Sequence, residues 1–261
     1  MEHEEYPPMS GANTIATTTE ILETGMLPMQ EPVTVITLDT PAGLVTVTAE
    51  YERGKCKSAA FDNVPAFVFA LDLDISVSEL GTVKVDIAWG GMFYVLVDAS
   101  AVGLKIESKN GAKFVHLGMQ ILRAVQEQTD PVHPENPGIR GVTVLEFTEP
   151  LRVEDGKRIA VNTVVVQPGR LDRSPCGTGT CARLAVLHAK GQLAEGEALH
   201  HQSVIGTEFV GHIRGTSKVG EYSAILPTVK GSAWITSYKQ VVLDPTDPFP
   251  EGFRVGDKWV M

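Results

Sequence analysis

Val and Thr alternate along two early parts of the chain, with the period of two that is typical of β-strands. These parts are residues 33–38 and 44–51, and apolar stretches bounded by Gly or Pro follow at 59–69, 83–87 and 92–97. Side chains that alternate in this way place every second residue on one face of a sheet. The pattern therefore predicts five strands or strand pairs in the first hundred residues.

Three other segments have the apolar spacing of helices. Residues 7–27 predict a turn followed by a helix that ends at Gly25, and residues 115–128 predict a second, amphipathic helix. A third apolar run, 182–193, stops at Gly191. Glycine directly after such a run is a common helix end.

The second half of the chain returns to strand-like patterns. A proline-rich connector precedes them at 131–137, and a tail with three prolines follows at 244–261, where no regular structure is expected. Strands are predicted at 141–147, 159–166, 203–213, 221–226 and 232–243. Strands mixed with three helices indicate an α/β (α+β) fold.

The stretch from Asp172 to Ala182, Asp-Arg-Ser-Pro-Cys-Gly-Thr-Gly-Thr-Cys-Ala, joins a predicted strand to the third helix. Its proline ends the strand, and small residues after Cys176 lead into the helix. A thiol at a helix N-terminus lies at the positive end of the helix dipole, which favours the thiolate. The free N–H groups of the first turn can hold a carboxylate. The stretch therefore combines a candidate base with an anion-binding site.

The two halves of the chain contain related segments. When Ser10 is placed on Cys176, the following pairs coincide without a gap: Gly11 and Gly177, Thr14 and Thr180, Ala16 and Ala182, Ile21 and Leu187, Gly25 and Gly191, and Leu27 and Leu193. We interpret this as a duplication that gives two similar halves of strands and a helix, with both helix N-termini facing one cleft. The repeat predicts that Ser10 and Cys176 flank one ligand from opposite sides.

Composition and charge narrow the class of protein. With 261 residues, 43% hydrophobic and 21% charged, the chain suits one large or two modest globular domains. The net charge of −10 argues against nucleic-acid or anionic-membrane partners. Three cysteines without framework spacing indicate a reducing compartment, and the chain begins with no signal-peptide pattern and contains no membrane-length apolar run. We expect a cytoplasmic protein.

The motif around Cys176 resembles the proline racemase family, which includes hydroxyproline 2-epimerases and trans-3-hydroxy-L-proline dehydratases. The segment Met-Ser-Gly-x-x-Thr-Ile that begins at Met9, with its helix ending Glu-Thr-Gly at Gly25, shares this resemblance. Residues 63–68, Asn-Val-Pro-Ala-Phe-Val, and 90–94, Gly-Gly-Met-Phe-Tyr, are also similar to family segments. The resemblance covers essentially the whole chain.

The resemblance implies a diaminopimelate epimerase-like fold of two similar domains, each a curved mixed sheet around a central helix, with the active site in the cleft between them. The first domain would be 1–107 with 232–261, and the second 108–231. A strand near 231–236 would return to the first domain. The resemblance also implies no cofactor and no metal. Family members look commonly dimeric, although the sequence carries no interface signal of its own.

In such enzymes two residues on opposite faces of the substrate's α-carbon exchange a proton, while helix N-termini stabilise the carboxylate as charge develops. By resemblance, Cys176 is one acid–base residue and Ser10 holds the partner position. Asp172 would receive the cationic ring nitrogen of a proline or hydroxyproline. The residues implied to bind the substrate are Gly11, Ala12, Asp172, Gly177 and Thr178.

Two positions depart from the racemases, which carry Cys in place of Ser10 and usually His in place of Ala12. A free thiol ionises near pH ~8.5, whereas an alcohol needs a partner base. A Ser/Cys pair is therefore poorly matched to reversible racemisation. β-Elimination from a 3-hydroxyproline needs one α-proton abstraction and a proton for the departing hydroxyl, which suits a hydroxyl opposite a thiol. We favour dehydration of trans-3-hydroxy-L-proline to a pyrroline-2-carboxylate, with 4-hydroxyproline 2-epimerase or proline racemase as the alternative.

A third departure is length, because family members normally have a substantial segment before the position of Met9, where this chain has eight residues. We expect either a start upstream of Met1 or a shortened product. This raises a hypothesis of another class, in which the chain is a truncated, inactive paralogue that at most binds an imino acid.

Structural explanations compete with the functional ones. Ser10 could be only a helix N-cap, and Asp172 could only cap the turn before Pro175. We expect Cys56 and Cys181 to be structural, since free cysteine is among the most buried residue types.

Overall fold

The computed structural model describes residues 9–40 and 43–252, and these form three α-helices and fifteen strands. The helices are α1 (Gly11–Glu23), α2 (Gly111–Gln128) and α3 (Gly177–Ala189). The strands before α2 are β1 (Val33–Thr40), β2 (Gly43–Glu52), β3 (Lys55–Asp62), β4 (Ala66–Val77), β5 (Gly81–Trp89) and β6 (Phe93–Asp98). Those after it are β7 (Val132–His133), β8 (Asn136–Arg140), β9 (Val144–Thr148), β10 (Arg152–Glu154), β11 (Lys157–Val166), β12 (Arg170–Leu171), β13 (Ala198–Gln202), β14 (Glu208–Val219) and β15 (Tyr222–Gly231).

One large mixed sheet contains all of these strands except the β7–β8 pair. Its order is β1-β2-β3-β15-β14-β13-β11-β9-β6-β5-β4, and β15 also pairs with β4 through Ala224 and Ile225. This second pairing closes the strands from β15 to β4 into a barrel. The pairs β11–β13 and β6–β9 are parallel, and the other pairings are antiparallel.

Helix α3 runs inside this barrel. Every residue from Gly177 to Leu187 is buried, and the apolar residues lie on all sides of the helix rather than along one stripe. A helix surrounded by sheet has no face to present to water, which explains this composition. Its side chains join the strands in two apolar clusters, one with Phe61 and Val229 and one with Tyr94 and Val164.

Helices α1 and α2 are amphipathic and each packs one face on the sheet. Helix α2 buries Phe114, Ile121 and Leu122 against the outside of the barrel. Helix α1 packs on β3, β2 and β15 and buries Ile15 and Leu22. These spacings follow the three- and four-residue period of the sequence.

Helices α1 and α3, which contain the internal repeat, have matching hydrogen bonds at their N-termini. The backbone N–H and hydroxyl of Thr14 both bond to the Ser10 carbonyl, and those of Thr180 bond to the Cys176 carbonyl. At the other end, Gly25 and Gly191 lie just after their helices with positive φ, at 74° and 67°. The two helices therefore begin and end in the same way.

The fold prediction is confirmed as a mixed α/β architecture with a large curved sheet and few helices. The division into 1–107 with 232–261 and 108–231 stays a proposal. The strand pairing joins β4, β5 and β6, which precede residue 108, to the barrel around α3.

The strand predicted at 232–243 is wrong. The chain continues past β15 without a strand or helix as far as residue 252, and residues 253–261 lie outside the described residues. Trp234 and Tyr238 are 77% and 80% exposed. Within the described residues, the apolar side chains of this alternating segment are therefore not covered by a neighbouring strand. Two other predicted strands have different bounds in the structure. Residues 63–65 divide the strand predicted at 59–69 between β3 and β4, and a turn at 203–207 delays the strand predicted at 203–213.

No helix in the described ranges combines the length and the apolar character needed to cross a membrane.

Candidate active site

The N-termini of α1 and α3 meet at two glycines. A Cβ added to Gly11 would lie 2.7 Å from the Cα of Gly177, and a Cβ on Gly177 would lie equally close to the Cα of Gly11. The ring of Phe61 packs against both positions. Only glycine allows such a close backbone approach. The repeat-related ends of the two helices therefore face each other, as the sequence predicts.

The loop before α3 is held by its own hydrogen bonds. The backbone N–H of Ser174 donates to Asp172 Oδ1 at 2.8 Å, and the N–H of Cys176 donates to Ser174 Oγ at 3.1 Å. The Asn162 amide donates to the Pro175 carbonyl at 2.7 Å. Cys176 itself has a φ of 64°, a left-handed backbone that is costly for a non-glycine residue and that is concentrated at functional sites.

The Cys176 thiol lies beside two hydroxyl groups. Its Sγ is 3.1 Å from the Tyr94 hydroxyl and 3.8 Å from Thr178 Oγ1, and these two oxygens are 2.7 Å apart. Tyr94 comes from β6 and is buried, so its hydroxyl is fixed under the first turn of α3. The sequence places Tyr94 in a family-like segment but gives no sign that it reaches the thiol, because this contact depends on sheet pairing.

Burial raises the pKa of the Cys176 thiol to about 12, and the Asp172 carboxylate adds to this rise. Hydrogen bonds from the Tyr94 hydroxyl and the Gly179 N–H act in the opposite direction. Burial therefore opposes the stabilisation of the thiolate that the helix N-terminus is expected to give, and that expectation stays a prediction.

Ser10 occupies the matching position on α1. Its backbone is extended, with φ −137° and ψ 108°, and its side chain makes no capping hydrogen bond within the described part of the chain. The residue is exposed. A capping role therefore does not explain this serine, and its hydroxyl lies free of the helix that it precedes.

The other predicted site residues lie in the first turns of the two helices or in the loop before α3. Gly11 and Ala12 begin α1, and Gly177 and Thr178 begin α3. Asp172 is half-buried and one of its oxygens caps the turn at Ser174, so the structural explanation holds for that oxygen.

The described residues contain no group of three or more His, Cys, Asp or Glu side chains arranged for a metal ion. All three cysteines are free, and Cys56 and Cys181 are buried, as expected. The residues that line a cavity of about 620 Å³ do not include Cys176. It is lined by charged side chains that include Arg183, Asp86 and Lys190.

The fold, a curved mixed sheet around α3 with the N-termini of α1 and α3 meeting at Gly11 and Gly177, is an epimerase-like α/β fold. A predicted epimerase from Pseudomonas aeruginosa shares this fold, with a TM-score of 0.53 and 15% identity over 91% of this chain and 78% of that one.

Closer similarity identifies the family. The family model for proline racemase matches residues 1–254. A probable proline racemase from Agrobacterium radiobacter K84, solved with bound carbonate, has a TM-score of 0.87 and 38% identity over 97% of this chain and 74% of its own. A hydroxyproline epimerase from Agrobacterium vitis, solved with bound trans-4-OH-L-proline, has a TM-score of 0.88 and 38% identity over 99% of this chain and 73% of its own. The chain belongs to the proline racemase family.

Proposed function

We propose that the protein dehydrates trans-3-hydroxy-L-proline to a pyrroline-2-carboxylate. The observation that carries this proposal is the asymmetry between the two helix N-termini. Cys176 has a thiol in contact with Tyr94, whereas Ser10 presents a hydroxyl with no capping partner in the described structure. An alcohol without a neighbouring base is a poor proton acceptor. The site therefore suits a reaction with one base rather than two.

The elimination fits a single acid–base residue. The Cys176 thiolate takes the α-hydrogen, the electrons of that C–H bond form the ring C2–C3 double bond, and the C3–O bond breaks. In trans-3-hydroxy-L-proline the α-hydrogen and the 3-hydroxyl are on the same face of the ring. The thiol can therefore return its proton to the departing hydroxyl, which leaves as water. The cyclic enamine then tautomerises to the imine.

The charge of a bound substrate can lower the pKa of the Cys176 thiol, which is raised in the free protein. The Asp172 carboxylate contributes to the raised pKa of Cys176. A cationic ring nitrogen bound at Asp172 would neutralise that charge and bring a positive charge near the sulfur, which favours the thiolate. The N–H groups of Gly11, Ala12, Gly177 and Thr178 would hold the carboxylate, as helix N-termini do for anions.

A second candidate is 2-epimerisation of 4-hydroxyproline or racemisation of proline. It is favoured by the 38% identity to the Agrobacterium vitis hydroxyproline epimerase. Inversion needs protonation of C2 from the face opposite the base, and Ser10 is the residue that would supply this proton. We rank it second because serine replaces the second thiol at that position.

Separate incubations with trans-3-hydroxy-L-proline, trans-4-hydroxy-L-proline and L-proline test the proposal. We expect the imine from the first, which borohydride reduces to proline, and little inversion of the others. Inversion of 4-hydroxyproline without imine would instead establish the second candidate. If all three substrates are unchanged and calorimetry with pyrrole-2-carboxylate detects binding, the protein is an inactive imino-acid-binding paralogue.

Variants at the two helix N-termini assign the roles. Cys176→Ala should abolish imine formation, and Ser10→Ala should keep it within about tenfold, because only the thiol moves a proton in the elimination. Ser10→Cys restores a second thiol and should raise 4-hydroxyproline inversion. Retained turnover in Cys176→Ala would contradict the assignment of the base.

We also propose a cytoplasmic location, which the three free cysteines support. A homodimer remains part of the proposal, and sedimentation would measure it.

A further inference from the structure

Two buried ionisable side chains lie beneath the first turn of α3 with hydrogen-bonding atoms left over. Glu146 on β9 and His201 on β13 are both 0% exposed. Glu146 Oε1 lies 3.5 Å from His201 Nε2, just beyond ordinary hydrogen-bond length. Within the described chain, neither that nitrogen nor either Glu146 carboxyl oxygen has a hydrogen-bond partner. Buried polar atoms are rarely left unpaired, and the Glu146 carboxyl and His201 Nε2 face each other.

The Glu146 carboxyl is close to the thiol. A Cβ added to Gly179 would lie 2.7 Å from Glu146 Oε2, 3.3 Å from the Cys176 Cβ and 3.3 Å from Tyr94 Cε1. The carboxyl, the thiol and the tyrosine ring therefore surround the same backbone position. A negative charge on Glu146 raises the pKa of Cys176.

The hydrogen bonds around Thr180 determine which atoms carry protons. The Thr180 hydroxyl donates to the Cys176 carbonyl at 2.7 Å, since a carbonyl oxygen can only accept. Its one proton is then used, so it accepts a hydrogen bond from His201 Nδ1 at 2.9 Å. The imidazole proton is on Nδ1, and Nε2 presents a lone pair to Glu146. A lone pair requires a donor, and Glu146 can donate only as a neutral carboxylic acid.

Burial favours the neutral form of both Glu146 and His201, although the buried Arg183 guanidinium opposes this for Glu146. Burial raises the pKa of Glu146 to about 8, against the opposing effects of the Arg183 guanidinium and the Asn162 amide. Burial, together with Arg183, lowers the pKa of His201 to about 3, so the imidazole is uncharged. Tyr94, which also faces this group, has a pKa raised well above its usual value and stays neutral.

We propose that Glu146 is a positioning residue for Cys176. As a neutral acid it fixes the His201 tautomer, and His201 through Thr180 holds the carbonyl of Cys176 at the start of α3. A neutral Glu146 also places no second negative charge near the Cys176 thiolate, so the two buried groups do not repel each other. Ionisation of Glu146 would remove the donor to Nε2 and oppose formation of the thiolate. The inference rests on the proposed role of Cys176, but it can be tested without turnover.

The test measures the rate at which iodoacetamide labels Cys176 between about pH 7 and about pH 10, with intact mass to locate the label. Cys176→Ala gives the background from the two buried cysteines. Glu146→Gln keeps a donor for His201 and cannot ionise. We expect its labelling rate to match that of the wild type near pH 7 and to exceed it about tenfold near pH 9, the effect of about one pKa unit on the thiol.

Asp86→Asn is the matched control. Asp86 is another buried carboxylate, but it pairs with Lys190 at 2.8 Å at the far end of α3. We expect its labelling profile to follow the wild type. Glu146→Gln and wild-type profiles that coincide at all pH values would overturn the proposal, and so would an equal shift in Asp86→Asn.

Infrared difference spectroscopy of the wild-type protein serves if Glu146→Gln does not fold. We expect the carbonyl stretch of a protonated carboxylic acid near neutral pH, lost as the pH rises past about 8. A fully ionised carboxylate at neutral pH would overturn the proposal. Absence of hydroxyproline turnover with the predicted labelling profiles would reject only the proposed function.

Discussion

At the scale of single residues, some neighbours of Cys176 oppose ionisation of its thiol and others favour it. Burial and Asp172 raise the thiol pKa, whereas Tyr94 and the Gly179 N–H lower it. The thiol is therefore protonated in the free protein, which protects it from oxidation and alkylation. Under the proposed function, the cationic nitrogen of a bound substrate would lower the thiol pKa and so couple proton abstraction to substrate binding.

Tyr94→Phe tests the donor that favours the thiolate. The Tyr94 hydroxyl is 3.1 Å from Sγ, and its loss should raise the thiol pKa by about one unit, because hydrogen bonds to charged groups contribute roughly 1.5–3 kcal/mol. Alkylation of Cys176 at about pH 9 should slow about tenfold. Tyr222→Phe is the matched control, since this half-buried ring stacks on Phe67 in the apolar cluster that also contains α2. An equal rate in Tyr94→Phe and wild type would show that the hydroxyl does not bond the sulfur.

At the scale of elements, the pairing of α1 with α3 builds the site. Each helix has 13 residues and directly follows a residue with a candidate catalytic side chain, and a glycine with positive φ lies two residues after its end. Their first glycines approach so closely that a methyl group would clash with backbone. The position of the thiol relative to the serine therefore depends on this contact together with the packing of both helices on the sheet.

Gly11→Ala should separate the two helix N-termini. The added methyl would meet the Gly177 backbone at 2.7 Å and the Phe61 ring at 2.6 Å. Overpacking of this kind costs about 1–3 kcal/mol, so urea unfolding should show a loss of about 2 kcal/mol, and imine formation should fall with it. In Gly215→Ala the new Cβ would be 3.8 Å from its nearest neighbour, so stability should change little. Wild-type stability in Gly11→Ala would show that the contact is not needed.

Local signals made the helices and their equivalence predictable from the sequence. These signals are the helix ends at Gly25 and Gly191 and the small residues after Cys176. They depend on local sequence and do not require tertiary contacts. The β15–β4 pairing that closes the barrel joins residues far apart in sequence, and the Glu146–His201 pair depends on the pairing of β9 and β13 with β11. The strand expected at 232–243 failed for the same reason, because alternation predicts a strand only where a neighbouring strand exists.

At the scale of the whole molecule, the barrel encloses α3 from Gly177 to Leu187, whereas within the described residues α1 lies against strands on one side. Residues such as Asn13, Thr17 and Glu20 of α1 are exposed, while their counterparts on α3 are in the barrel. The enclosed helix has buried polar groups below its first turn. Those groups connect the protonation state of the site to the stability of the fold.

Glu146→Gln should change the pH dependence of stability. The pKa of Glu146 rises from 4.5 to about 8 on folding, so the folded state binds more protons in this range and wild-type stability falls as the pH rises through it. The amide of the variant does not titrate. Urea unfolding should therefore favour the variant increasingly from about pH 5 to about pH 8, by up to about 1.4 kcal/mol per pH unit. A constant difference between the two proteins would show that Glu146 is ionised throughout.

The most direct test of the central claim is the reaction of trans-3-hydroxy-L-proline with wild-type protein, Ser10→Ala and Cys176→Ala, followed by proton NMR. The account predicts loss of the α- and 3-hydrogen signals and appearance of pyrroline-2-carboxylate with wild type and Ser10→Ala, and no change with Cys176→Ala. Inversion at C2 without loss of water, or product formed by Cys176→Ala, would contradict it.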